Sequence, residues 1–151
     1  MNSKVIADNL AARFGGVTAT VSGVTESLTM VTASLPNTLG VGPALLVYHP
    51  TAELDVGASK LRGDRLTFPV RLLRDPQNYP SRSDWLYAWY DALRDKVEED
   101  LDLGQPTYVL AAQPTEARLE LDGEEYAGTT YDVVELMVQV ELYENVPGVS
   151  A

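Results

Sequence analysis

The chain has no cysteine, one histidine, and two phenylalanines among its 151 residues. Without cysteine there can be no disulfide and no thiolate metal site, which fits a reducing compartment. A lone imidazole, His49, next to Pro50 and with no sulfur partner, is a poor start for a metal centre, and no serine or cysteine elbow accompanies it. Long apolar runs are missing as well. The longest, Ala44 to Tyr48, is far too short to span a bilayer, and Lys4, Asp8 and Arg13 interrupt the N-terminus where a secretory signal needs an apolar core. Glycines set for a phosphate loop are also lacking: Gly15-Gly16 follows a helical pattern and Gly40-Val41-Gly42 precedes a strand. A soluble cytoplasmic product of one domain, residues 1–151, is expected.

Basic residues are scarce where acids are plentiful. Net charge is -11, and residues 96–151 hold two basic against thirteen acidic groups, whereas the first 95 residues balance. Lys60, Arg62, Arg65, Arg71, Arg74 and Arg82 make the middle locally positive. A molecule with two electrical sides is expected, either for solubility alone or to fix the register of head-to-tail assembly. Arg71, Arg74, Tyr79 and Arg82 are too few for a nucleic-acid grip in so acidic a chain. Glu98, Glu99, Asp100 and Asp102 fall at a helix C-terminus, where they oppose the macrodipole, and read first as a solvated face.

What is present is periodicity. Trp85, Leu86, Trp89, Leu93, Val97 and Leu101 recur at steps of three and four, which predicts an amphipathic helix over 83–103 ended by Gly104 and Pro106. Tyr87 or Tyr90 is expected to stand partly exposed on it. Ile6, Leu10 and Phe14 predict a first helix capped by Asn2 or Ser3 and ended by Gly15-Gly16. Leu66, Phe68, Val70 and Leu72 alternate with polar neighbours, as do Val134, Leu136, Val138, Val140 and Leu142. Each set is one buried face of a strand. Pro69 cannot donate to a ladder, which suggests an edge or a bulge. Gly57 to Asp64 reads as a polar loop, Tyr108 to Ala112 as a short strand, and Asp122-Gly123 as the tight turn of a C-terminal hairpin. Residues 17–42 suit helix and strand equally. The fold class is α+β: an antiparallel (mixed) sheet with an N-terminal helix and a central long helix packed on one face, plus a long C-terminal β-hairpin.

The order helix, strands, helix, strands, with Gly63-Asp64-Arg65-Leu66-Thr67-Phe68-Pro69-Val70 leading into a strand and Gly123-Glu124-Glu125-Tyr126-Ala127-Gly128 in a late hairpin, resembles the tail terminator proteins of long-tailed bacteriophages. The resemblance covers nearly the whole chain and includes no catalytic signature. It implies a virion protein assembled in the host cytoplasm, a homo-oligomeric ring commonly of six subunits. Such a ring caps the tail tube at its head-proximal end, stops tube polymerisation and offers a surface to the head. It implies no enzyme activity, no cofactor and no metal; its partners are the tube protein, the head-tail connector proteins and DNA passing through unbound. Given that picture, Glu116, Glu120, Asp122, Glu124, Glu125, Glu135 and Glu141 are candidates to line the channel. Lys60, Arg62, Arg65, Arg71, Arg74 and Arg82 are candidates to meet a neighbouring subunit or the tube. Rival readings are a head-tail connector or adaptor, a monomeric ligand-binding α+β domain, and last a hydrolase with dispersed carboxylates.

Overall fold

The computed structural model of the chain describes residues 3–40, 42–56, 61–76, 81–99 and 109–145. Helix α1 (Ser3–Arg13) is followed by strands β1 (Thr18–Val21), β2 (Val24–Ser27), β3 (Met30–Thr32), β4 (Ala44–Val47), β5 (Thr51–Val56) and β6 (Leu61–Arg74). Helix α2 (Arg82–Glu99) and the long strands β7 (Val109–Tyr126) and β8 (Thr129–Asn145) complete the chain. The main sheet has the order β3-β4-β6-β8-β7, with β5 also on β6, and every pairing but the parallel β3–β4 is antiparallel. This is the expected α+β class.

Both helices cover one face of the sheet. Ile6, Leu10 and Phe14 of the first helical segment, and Trp85, Leu86, Trp89, Leu93 and Val97 of α2, form a single core with the alternating residues of β6 and β8. The spacing that predicts these stripes is local, so each side chain reaches the core once its element forms. A smaller cluster, Leu46, Leu73, Tyr131 and Val133, sits on the opposite face under Met30 and Leu39.

The stretch that suits helix and strand equally is extended, and several other expectations are corrected. Residues 18–27 form a two-stranded hairpin of their own, β1–β2, turned by Ser22 and Gly23, both with positive φ. Thr51–Val56 is a strand where none was expected, although Ala52, Leu54 and Val56 alternate with Glu53 and Asp55. With it, β6 begins at Leu61, inside the stretch expected to be loop. Pro69 lies at neither edge nor bulge: β6 is flanked on both sides and its register with β8 is unbroken through Pro69↔Met137. The Pro69 carbonyl accepts the Tyr48 N–H at 2.8 Å, so its nitrogen faces the joint where β4 gives way to β5. The missing donor falls where the neighbouring ladder is already interrupted. Of the short strand expected at 108–112, Tyr108 lies outside the described residues and 109–112 are the beginning of β7. The hairpin turn lies at Ala127-Gly128, with φ of 50° and 83°, while Asp122, at φ 52°, and Gly123 form a bulge. Leu101, Gly104 and Pro106 lie outside the described residues, as do Asn2, Asp100 and Asp102.

Candidate functional site

Helices leave the opposite face of the sheet open, and there the basic middle and acidic end of the chain meet. Successive strands bring Arg71, Glu135 and Arg118 side by side, because Arg71 pairs with Glu135 across β6–β8 and Glu135 with Arg118 across β8–β7. The Arg71 guanidinium donates to Glu135 and, at 3.2 Å, to Glu124. Arg118 reaches Glu120 at 3.1 Å, Glu124 at 3.4 Å and Glu135 at 3.5 Å. Arg71 also stacks 4.3 Å from the centroid of the Tyr48 ring. Burial works against the Arg71 charge, but the hydrogen bond to Glu135 and the fields of Glu124 and Glu135 outweigh it and raise its pKa. For Tyr48 burial dominates, and its phenol titrates above the ordinary value despite the nearby cation. Two arginines and three glutamates thus form one half-buried ionic network with a residual negative charge.

Arg74 and Arg82 lie on the helix-covered face. Arg74 is buried, grips Glu26 of β2 through Nε and Nη2 at 2.9 and 2.7 Å, and stacks on Trp85 at 4.8 Å. The Trp89 indole N–H donates to the same Glu26 carboxylate at 2.9 Å. Arg82 binds the wholly buried Asp132 at 2.6 and 2.9 Å and Asp122 at 2.8 Å. These hydrogen bonds, to Asp132 first, hold its pKa well above the ordinary arginine range.

The candidate residues are therefore interleaved, and the expectation of two electrical sides is corrected: Arg65, Arg71 and Arg82 are set against carboxylates of the distant acidic third, and Arg74 against Glu26 of the N-terminal hairpin. Arg71, Arg74 and Arg82 are engaged within the chain. Arg65 is more than half exposed and lies between Glu53 at 3.7 Å and Glu141 at 3.6 Å. Lys60 and the Arg62 side chain lie outside the described residues, as does Tyr79. Of the acids, Glu116, Glu120, Asp122 and Glu125 are exposed, while Glu124, Glu135 and Glu141 are partly covered. Glu26, absent from the sequence expectations, joins Arg74 and Trp89 through one carboxylate, and nothing in its hairpin sequence marks it.

His49 stands at the rim of an open cleft of about 440 Å³ between the α1 N-terminus and the β4–β5 joint. Lys4 in that cleft donates to Asp8 at 2.9 Å and to Ser34 at 3.0 Å. Among the described residues no group of three or more histidines and acids could hold a metal ion, and no helix is long and apolar enough to cross a membrane. In comparisons with known proteins, no family model matches the chain and no curated sequence matches it.

Proposed function

We propose that this chain is a tail terminator of a long-tailed bacteriophage: a subunit of a ring that caps the head-proximal end of the tail tube, stops its growth and offers the head its attachment surface. The observation that carries the reading is where the two motif segments fall in the fold. Gly63-Asp64-Arg65 lies in the first part of the central strand, where it takes β5 on one side and β8 on the other, and Gly123 to Gly128 builds the bulge and turn of the long hairpin. The order of two helices over one sheet face, with that hairpin after the second, supports it further.

The mechanism is capping. One face of the ring pairs with the tube and the other does not repeat the tube's own binding face, so another tube subunit finds nothing to join. The surplus of carboxylates, -11 per chain, keeps DNA phosphates from adhering as they pass. Arginines already pair with Glu120, Asp122, Glu124, Glu135 and Glu141, so the lining is narrowed to Glu116 and Glu125, which form no ion pair among the described residues.

Deleting the gene and imaging tails by electron microscopy tests the reading. Overlong tails without this chain, and density for it at the head-proximal end when present, are expected. Tails of normal length that fail to join heads point to the connector reading instead, and normal virions lacking the chain refute both.

A further inference from the structure

Along the seam between α2 and β7 the helix-covered face opens at the β7 edge, the last described strand of the sheet on that side. Two clefts follow one another there. One of about 120 Å³ lies against Tyr87, Leu119 and Leu121, and the next, of about 280 Å³, against Tyr90, Glu98 and Glu116. Tyr87 is 66% and Leu121 43% exposed, large apolar surface left in water beside a strand. Among the described strands β7 pairs only with β8. Its run Glu116 to Glu120, regular between two register shifts, therefore turns alternate backbone N–H and C=O groups outward.

Charge selects what can sit there. Glu98 and Glu116 form no ion pair among the described residues, and Glu120 shares Arg118 with two other glutamates. The cation in the larger cleft, Arg94, stacks on Tyr90 at 5.3 Å and lies 3.8 Å from Asp95. A second copy is a poor source of the missing strand. Its β7 edge carries the same glutamates, and β5 carries Glu53 and Asp55, so pairing copies through these edges opposes like charges.

We propose that the α2–β7 seam receives an extended basic segment of a partner protein, added to β7 as a further strand. Its apolar side chains at alternate positions rest on Tyr87 and Leu121, and the intervening lysines or arginines face Glu116 and Glu120. Leu119 and Leu121 line the cleft against α2, whereas Arg118 and Glu120 occupy the other side of β7 and Glu116 borders the seam beside Tyr90 at the register shift, so the site asks for an apolar–basic alternation. This role goes beyond the capping function and does not depend on it; it also takes Glu116 and Glu120 out of any channel lining.

The test is NMR titration of the full chain with a peptide of roughly eight residues alternating valine and lysine, long enough for one strand. Saturable shifts confined to the amides of Glu116 to Leu121 and of α2 near Tyr87 are expected. Glu116→Lys with Glu120→Lys should weaken binding about tenfold or more, Tyr87→Ser should weaken it with the charge unchanged, and a valine–glutamate peptide should not bind. No saturable binding, shifts spread over the whole acidic surface, or affinity indifferent to Tyr87→Ser would each overturn the proposal. Tail morphology has no bearing on this result, so failure here and failure of the capping function are separately visible.

Discussion

The carboxylate of Asp132 accepts the backbone N–H of Asp122 at 2.8 Å across the hairpin, while its two oxygens also hold Arg82 at the start of α2. One wholly buried side chain therefore fixes a bulge in β7 and the first turn of a helix from a different part of the chain. Removing it leaves a guanidinium only 13% exposed and short of its main partner. Asp132→Ala should lower stability by about 3–5 kcal/mol, read as a reduced denaturant midpoint at unchanged slope. Asp132→Asn, which keeps an acceptor for the Asp122 N–H, should fall between that variant and the parent.

Glu26 makes a comparable prediction for the small hairpin. Its carboxylate pairs with Arg74, which is 2% exposed, and is the acceptor for Trp89. Glu26→Ala should cost about 3–5 kcal/mol and free β1–β2 from α2, visible as faster amide hydrogen exchange in residues 18–27 and changed tryptophan emission. Exchange in 18–27 that stays as slow as in the parent would contradict the anchoring role.

Gly123 is required for space and Gly128 for conformation. A Cβ on Gly123 would lie 2.5 Å from the Glu120 Cβ and 2.8 Å from Val133 Cγ1, so Gly123→Ala must shift backbone and should cost roughly 1–3 kcal/mol. At Gly128 nothing lies within 4 Å, but φ is +83°, and Gly128→Ala should cost about 1–2 kcal/mol through the left-handed backbone alone. Ala127 already bears that strain at φ 50°. Ala127→Gly or Ala127→Asn should raise the thermal midpoint, since both residues suit this turn.

Two tyrosines set the alkaline limit. Burial raises the pKa of Tyr126, and also that of Tyr48 against the opposing effect of Arg71, above the ordinary 10.0. The folded chain thus holds these protons more tightly than the unfolded one. Their contribution is complete below the unfolded value and disappears as pH rises through the folded one. Unfolding free energy should decline with pH from about 10 upward, and a Tyr48→Phe, Tyr126→Phe variant should lose most of that slope. Tyr126→Phe also removes the hydrogen bond to the Pro36 carbonyl, a loss of about 1 kcal/mol that is independent of pH at neutrality.

Much of the fold is legible in short stretches of sequence. Trp85, Trp89, Leu93 and Val97 are buried as their spacing requires, as are Leu66 to Leu72 and Val134 to Leu142 at every second position. Strand β5 was legible too in its alternation, but it is short and lies between a proline and a glycine, where turn signals dominate. Asp122-Gly123 suits a tight turn and a bulge alike, so the local sequence does not place the hairpin turn. Only the pairing of Tyr126 with Thr129 selects between them.

By itself the sequence determined which side chains face the core, the number of layers and the lack of any thiol chemistry, because these depend on residue type and on periods of two or 3.6 residues. The tertiary structure alone decided that the basic middle and the acidic end neutralise each other. Arg71 and Glu135 are 64 residues apart, and Trp89 and Glu26 63, so their meeting depends on strand order and register. The same register left Glu116 and Glu120 on an edge that pairs with no further described strand, turning part of the C-terminal surplus of charge into a located surface.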